Sequence, residues 1–554
     1  MPKRLWMVGL PSLFAAACSS SPAQPPLAPC TATSGGQVAL GIGAYTAVDP
    51  TQTAGCALFP ANPAGSTIEY LVVPQSASST PDDSQGFKLG GTALAAPPAP
   101  SASFAAGPGA AQQFDLRLRL AEREFAAQVP GPLRAPPRIS AAATPVDSGN
   151  VRTFKVCNTV NCDPRKPSTL SSVTATALKV GMHIAIYVDN AAPQPGLTQS
   201  DLDNLRAVFD TRLYETDTLA FGSESDIDNN GMVIVLMTTK VNSLVSSASC
   251  LSTGFVAGYF FGADLITTPP YATGNNSEIF YSIVPDPSGT VSCAHSVSAV
   301  SQIVPVTFVH EFQHMISFNQ HFLVRRGFPE DLWLNEGLSH YAEENGGRTY
   351  LPDSATFCSY VFGDVYNAGQ YFTAPQNYFL VDTVGIGGLA NRGAYWLFVR
   401  YLVDQVGATL GSADSVTRRL DMTSFTGAAN VSQAAGGTPF ATIVERWALA
   451  NYVSDLPGFS APSELQYLTW QFRTAFPTFN NRCSSKIPAQ FPLAPPVLDA
   501  TATHVSGMLR AGSGSHYRLQ HTPGAPQFTL LFSNSAGAAL RTSLLPRLNV
   551  IRIQ

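Results

Sequence analysis

The stretch VHEFQHMISF, residues 309 to 318, sets two histidines four positions apart with a glutamate beside the first. On an α-helix His310 and His314 would stand one turn apart on a single face, with Glu311 next to them. That is the spacing of two imidazole ligands for one metal ion, with a carboxylate placed to act as a base. Apolar Val306, Phe308, Val309, Phe312, Met315 and Ile316 surround the polar trio, as in a helix buried on most sides. Buried imidazoles and a buried carboxylate need partners, and a zinc ion supplies them. The plain alternative is a chance H-E-x-x-H in a packed helix, expected in roughly one or two chains of this length in a hundred.

A third ligand must come from elsewhere. Glu336, in PEDLWLNEGLSHYAEE, follows His314 after 21 residues, enough for a turn to bring a second helix back antiparallel to the first. Two imidazoles, one carboxylate and a water make an open tetrahedral site with bonds of ~2.0–2.2 Å, the pattern of a catalytic zinc rather than a structural one. A third ligand on the first helix would need glycine at Ser317 and histidine at Gln320. His321 is one residue out of step and is expected at the surface or behind the ligands.

HEFQHMISFNQH followed by WLNEGLSHYAEE resembles the gluzincin zinc peptidases and is most similar to the bacterial hyicolysin-like metallopeptidases. The likeness takes in TDTLAFGSESDIDNNG, GYFFGADL, NSEIFY and RGAYWLFVRYLVDQVG, so that it spans roughly residues 180 to 455. The resemblance implies a thermolysin-like catalytic domain and an exported zinc endopeptidase acting on protein or peptide substrates. It assigns His310, His314 and Glu336 as ligands and Glu311 as the base, which takes a proton from zinc-activated water and passes it to the leaving nitrogen.

There are departures. The gap between the ligand segments is longer than in thermolysin, and His340 stands where that pattern has an aspartate, leaving Glu343 or another carboxylate to orient a ligand histidine. Alanyl aminopeptidases share W-L-N-E-G but carry a G-x-M-E-N segment absent from this chain, which favours cleavage within chains. Tyr395, in NRGAYWLF, is the candidate donor to a developing oxyanion, with a core tyrosine as the alternative. The strand around NSEIFY is expected to pair with extended substrate backbone.

A second cation signal is weaker. SDIDNNGMVIVLMT places Asp226, Asp228 and Asn230 like the start of a calcium loop, but the twelfth position is Met237, where an EF-hand needs glutamate. Two readings stand: a tight turn into a buried strand, and a Ca2+ site of another kind.

The elements that must position these residues follow from pattern. Strand-like VRTFKVCN, TATALKV, GMHIAIYVD and GMVIVLMT precede helical PEDLWLNEGLSHYAEE, NRGAYWLFVRYLVDQV and TPFATIVERWALANYV. Strands first and helices afterwards give an α+β class, a zinc peptidase domain over 113–486. FDLRLRLAEREFAAQV at its start reads as a helix of mixed charge. Small β-rich domains are expected on either side, at 38–91 and 487–554, with a disordered linker over 18–37 and an Ala/Pro linker over 92–112.

Residues 1–17 carry Lys3 and Arg4 and then an apolar run too short to span a bilayer, the form of an export signal. Ala15-Ala16-Ala17-Cys18 resembles a bacterial lipobox, and ordinary cleavage at an A-x-A site is the alternative. The expected place is thus outside a bacterial cytoplasm: an outer-membrane or cell-surface lipoprotein anchored through Cys18, or a secreted protein. With Cys18 lipidated, the remaining eight cysteines form an even set, and pairing of sequence neighbours (30 with 56, 157 with 162, 250 with 293, 358 with 483) is the simplest guess. A charged fraction of 12%, a net charge of -5 and no basic clusters exclude a nucleic-acid partner and a polybasic membrane dock. Two other functions fit the same residues: an inactive adhesin or scaffold with a peptidase-like domain, which an intact Glu311 argues against, and a zinc hydrolase of some other bond.

Overall fold

The strand Ile68–Ser76 is buried at all nine of its positions. Its side chains alternate between two hydrophobic cores: Ile68, Tyr70 and Val72 enter one, Leu71 and Val73 the other. This strand therefore joins two layers of the molecule, as the computed structural model shows over residues 25–31, 35–91, 109–131, 146–383 and 388–554. The export signal, Cys18 and residues 92–108 of the expected linker lie outside the described residues; a helix begins at Ala110.

The first core is a β-sandwich made from both ends of the chain. One sheet runs in the order Gly36–Gln37, Cys56–Phe59, Phe528–Asn534, Ser84–Gly90, His504–Arg510. The other runs Val497–Asp499, Tyr517–His521, Ile68–Ser76, Pro546–Arg552, Tyr45–Val48. The expectation of separate β-rich units at 38–91 and 487–554 is corrected here, because strands of the two segments are neighbours within both sheets. The reason is strand edges: Ser84–Gly90 finds partners on both sides only among the C-terminal strands.

The second core is α+β. Its sheet has six strands in the order Gly258–Phe260, Ile279–Ser282, Val233–Met237, Ile184–Asp189, Leu170–Val180, Val151–Cys157. Ile279–Ser282, Val233–Met237 and Ile184–Asp189 are mutually parallel, and the first two are buried throughout, as parallel strands covered on both faces must be. Against this sheet lies the helix Val297–Phe318, here the motif helix, followed by Leu332–Arg348, here the return helix. Helices Ser354–Thr373, Leu389–Leu410 and Phe440–Val453 complete the layer. Gly337 sets the spacing beside the site: a Cβ there would meet Val399 Cγ2 at 2.8 Å and the Tyr395 carbonyl oxygen at 2.9 Å, so only glycine lets the Leu389–Leu410 helix approach so closely.

The sandwich docks on the helices through polar as well as apolar contacts. Gln75 Nε2 donates to Val444 O at 3.2 Å and His516 Nε2 to Ala448 O at 2.8 Å, both on the Phe440–Val453 helix. Disulfides join Cys30 to Cys56, Cys157 to Cys162, Cys250 to Cys293 and Cys358 to Cys483. Among the described residues no helix is long and apolar enough to cross a membrane.

Candidate metal centre

The motif helix begins at a serine cap, Ser296, whose hydroxyl accepts from Ala299 N, and its buried stripe carries Val304, Phe308, Phe312 and Met315 into the core. That packing fixes its rotation, so His310 and His314 face the return helix. His310 Nε2 lies 3.8 Å from Glu336 Oε2 and His314 Nε2 lies 3.3 Å from Glu336 Oε1. A ligand atom from each of the three residues falls within 4.8 Å of the others.

The opposite ring nitrogens are occupied. His310 Nδ1 is 2.6 Å from Glu343 Oε1, and His314 Nδ1 is 3.0 Å from Asn335 Oδ1. An Nδ1–H donated to each oxygen leaves both Nε2 lone pairs facing Glu336, the tautomer a metal requires. Glu336 is 1% exposed, and neither carboxylate oxygen has a hydrogen-bond partner. Arg392 Nη1, 3.3 Å from Oε2, offsets part of the cost of burying this carboxylate, and a metal ion between it and the two imidazoles would offset the rest. The donor set therefore fits a zinc ion.

Electrostatics agree with this geometry. Burial holds His314 down, at about 3, so its ring is neutral. Burial would raise Glu336, but Arg392 and the two histidines keep it well below the usual carboxylate range. Burial pushes Glu311 up to about 7 against the pull of His310 and Arg119, a value suited to exchanging protons near neutrality. Burial would lower His340, yet Glu343 and Asp364 outweigh it and raise the ring to about 10, making it a cation. Its Nδ1 lies 3.1 Å from Glu343 Oε1 and 2.9 Å from Asp364 Oδ1, while Nε2 has no partner.

These residues border a cavity of about 660 Å³, whose lining includes His310, Glu311, His340, Glu343, Arg392 and Asp115. Tyr395 does not reach it. That hydroxyl donates to the Asp382 carboxylate, and the ring is buried in the Leu389–Leu410 helix packing. His321 is buried rather than at the surface, 3.8 Å from Glu330 and 3.7 Å from Asp421. The NSEIFY strand, Ile279–Ser282, is paired on both sides and has no edge to offer; the edge strand next to it is Gly258–Phe260, and Gly258 lines the cavity.

Three residues at the centre carry no sequence signal of their own. Arg392 Nη1 lies 3.3 Å from Glu336 Oε2, and its Nη2 is 2.6 Å from Asp115 Oδ2. Arg119 sits beside them, bonded to Glu122 and to the Phe260 carbonyl. Asp115 and Arg119 belong to the helix Ala110–Gln128, whose alternation of Arg, Asp and Glu with apolar residues reads as a solvated helix. Only the fold reveals that its polar side meets the centre.

No protein-family model matches the chain. A neutral metalloprotease, ShpI, from Staphylococcus hyicus is 27% identical over 148 residues, which is 26% of this chain and 31% of that protein. The chain thus spans about a third of that relative's length, a distant likeness to a metalloprotease.

Proposed function

We propose that the chain is a zinc-dependent endopeptidase of the gluzincin type, hydrolysing peptide bonds in proteins outside a bacterial cytoplasm, with a thermolysin-like arrangement of its ligands. His310, His314 and Glu336 hold the ion, and Glu311 is the base. One observation carries this reading: two imidazole nitrogens from one helix converge on the buried Glu336 carboxylate of the next, beside a cavity lined by His310 and Glu311.

When bound there, zinc supplies a Lewis acid that acidifies a water molecule and polarises the scissile carbonyl. Everything else is done by the chain. Glu311 takes the proton of the attacking water and returns it to the leaving nitrogen. His340, cationic, with its ring bordering the cavity and its buried Nε2 unpartnered, is the donor we assign to the oxygen on which charge develops, the role the sequence assigned to Tyr395. Glu343 and Asn335 hold the ligand rings in register, and Arg392 holds Glu336. The edge at Gly258 pairs with an extended substrate backbone, which makes a protein segment rather than a chain end the natural occupant. Four disulfides support an oxidising compartment, and mass analysis of the mature amino terminus separates lipidation at Cys18 from simple cleavage.

Casein digestion with and without a chelator, on the parent protein and Glu311→Gln, tests the reading. The variant is expected to retain one zinc and to lose activity by about 10²–10⁴-fold. Undiminished hydrolysis by Glu311→Gln, or by metal-free protein, would overturn it.

A further inference from the structure

We infer that the chain binds a calcium ion at a second site, between Asp226, Asp228 and Glu278. A carboxylate oxygen from each falls within 4.8 Å of the others. The first two lie in the loop before the strand Val233–Met237, and Glu278 immediately precedes the strand Ile279–Ser282. Those strands are parallel neighbours, with Ile234 opposite Ile279, so the pairing brings the two acidic segments to one end of the sheet.

The loop is folded around its own carboxylates. Asp226 Oδ1 accepts from the backbone of Asn230 at 3.0 Å and Gly231 at 3.1 Å, and Gly231 takes a left-handed φ of +68°. Asp228 Oδ2 accepts from Asn230 Nδ2 at 2.9 Å, and Asn230 Oδ1 accepts from Met232 N at 2.6 Å. Glu278 Oε1 accepts from Ser225 Oγ at 2.5 Å and Ile227 N at 2.9 Å. Glu278, which is 1% exposed, keeps Oε2 buried without a hydrogen-bond partner, and Asp228 Oδ1 is in the same state. Two idle oxygens facing further carboxylates in the interior call for a cation. The donors are all oxygen, with no imidazole or thiolate, which selects a hard ion of calcium's kind over zinc.

The site would act on the motif helix from behind. Ser223, at the start of this loop, has its carbonyl held by Asn319 Nδ2 at 2.9 Å and Gln320 Nε2 at 2.5 Å, just past the motif helix. Tyr214 donates to Glu224 at 2.8 Å and stacks 5.5 Å from Phe312, between the two ligand histidines in sequence. A cation here clamps two neighbouring parallel strands and the loop that grips the helix end.

Calcium chloride titrated calorimetrically into the full chain, stripped of metal and reloaded with one equivalent of zinc, tests this. One calcium per chain and a rise in melting temperature of at least about 3 °C are expected. Asp228→Asn and Glu278→Gln should lose both effects while still holding one zinc. If Glu278→Gln fails to fold by circular dichroism, the half-buried Asp228→Asn decides alone. No uptake of calcium at millimolar concentration, uptake of magnesium in its place, or wild-type calcium affinity in Asp228→Asn would overturn the inference. Because zinc content is read separately, failure here leaves the peptidase reading standing, and Glu336→Ala should still take up calcium.

Discussion

His310 and His314 come from one turn of one helix, whereas Asp226, Asp228 and Glu278 come from a loop and a strand start far apart in the chain. The first group is held by side chains behind it: Glu343 and Asn335 lock the ring nitrogens that point away from the centre. The second is held mainly by backbone, with N–H groups of residues 227, 230 and 231 donating to its carboxylates. A site that must present neutral nitrogen at fixed angles needs rigid side-chain partners. A site that presents oxygen to a large, geometrically tolerant ion can be built on a loop. The contrast predicts that the two respond to different substitutions.

The largest effect should come from Glu336→Ala. Zinc is lost and casein hydrolysis falls at least ~10³-fold, measured by elemental analysis and a digestion assay. Retained stoichiometric zinc would point to another third ligand. Glu343→Gln should be milder, weakening zinc affinity by about 10–100-fold in competition with a chromogenic chelator, because His310 loses the anion that orients it. An unchanged affinity would mean that the ring is positioned by packing alone.

A third region lies apart from both sites and ties stability to pH. Burial holds His516, at the junction of sandwich and helices, down at about 4. Its neutral form is the one the fold accepts, so its contribution is complete above the unfolded value near 6.5 and is lost as pH falls towards 4. At most about 3 kcal/mol of stability is at stake over that window. His516→Gln should flatten the dependence of urea midpoint on pH between 6.5 and 4, whereas an unaltered slope would place the sensitivity elsewhere. Smallest should be Tyr395→Phe: losing the bond to Asp382 costs about 1–2 kcal/mol of stability, with kcat/KM within about threefold of the parent. A large fall in kcat at constant stability would return that hydroxyl to the chemistry.

Legibility in the sequence followed the same division. The trio on the motif helix was readable because helical periodicity turns a spacing of four into a shared face. The return helix was readable from W-L-N-E-G. Glu278 was not, since its partners become neighbours only through strand pairing. Arg392 and Asp115 were invisible for a similar reason: charged residues on amphipathic helices look solvated until the tertiary packing turns them inward. The helix Ser354–Thr373 went unassigned because SATFCSYVFGDVYNAGQYFT is rich in residues that favour strands, and its burial against neighbouring helices overrides that preference. The β-rich character of 38–91 and 487–554 was readable, but no local pattern reports that a strand's neighbour lies at the other end of the chain.

The most direct test is anomalous X-ray scattering from crystals of the zinc-loaded chain, collected on both sides of the zinc edge. A single strong peak about 2.0–2.2 Å from His310 Nε2, His314 Nε2 and a Glu336 oxygen is the predicted result. A peak bound by other residues, with the Glu336 side chain turned away from both imidazoles, would contradict the account.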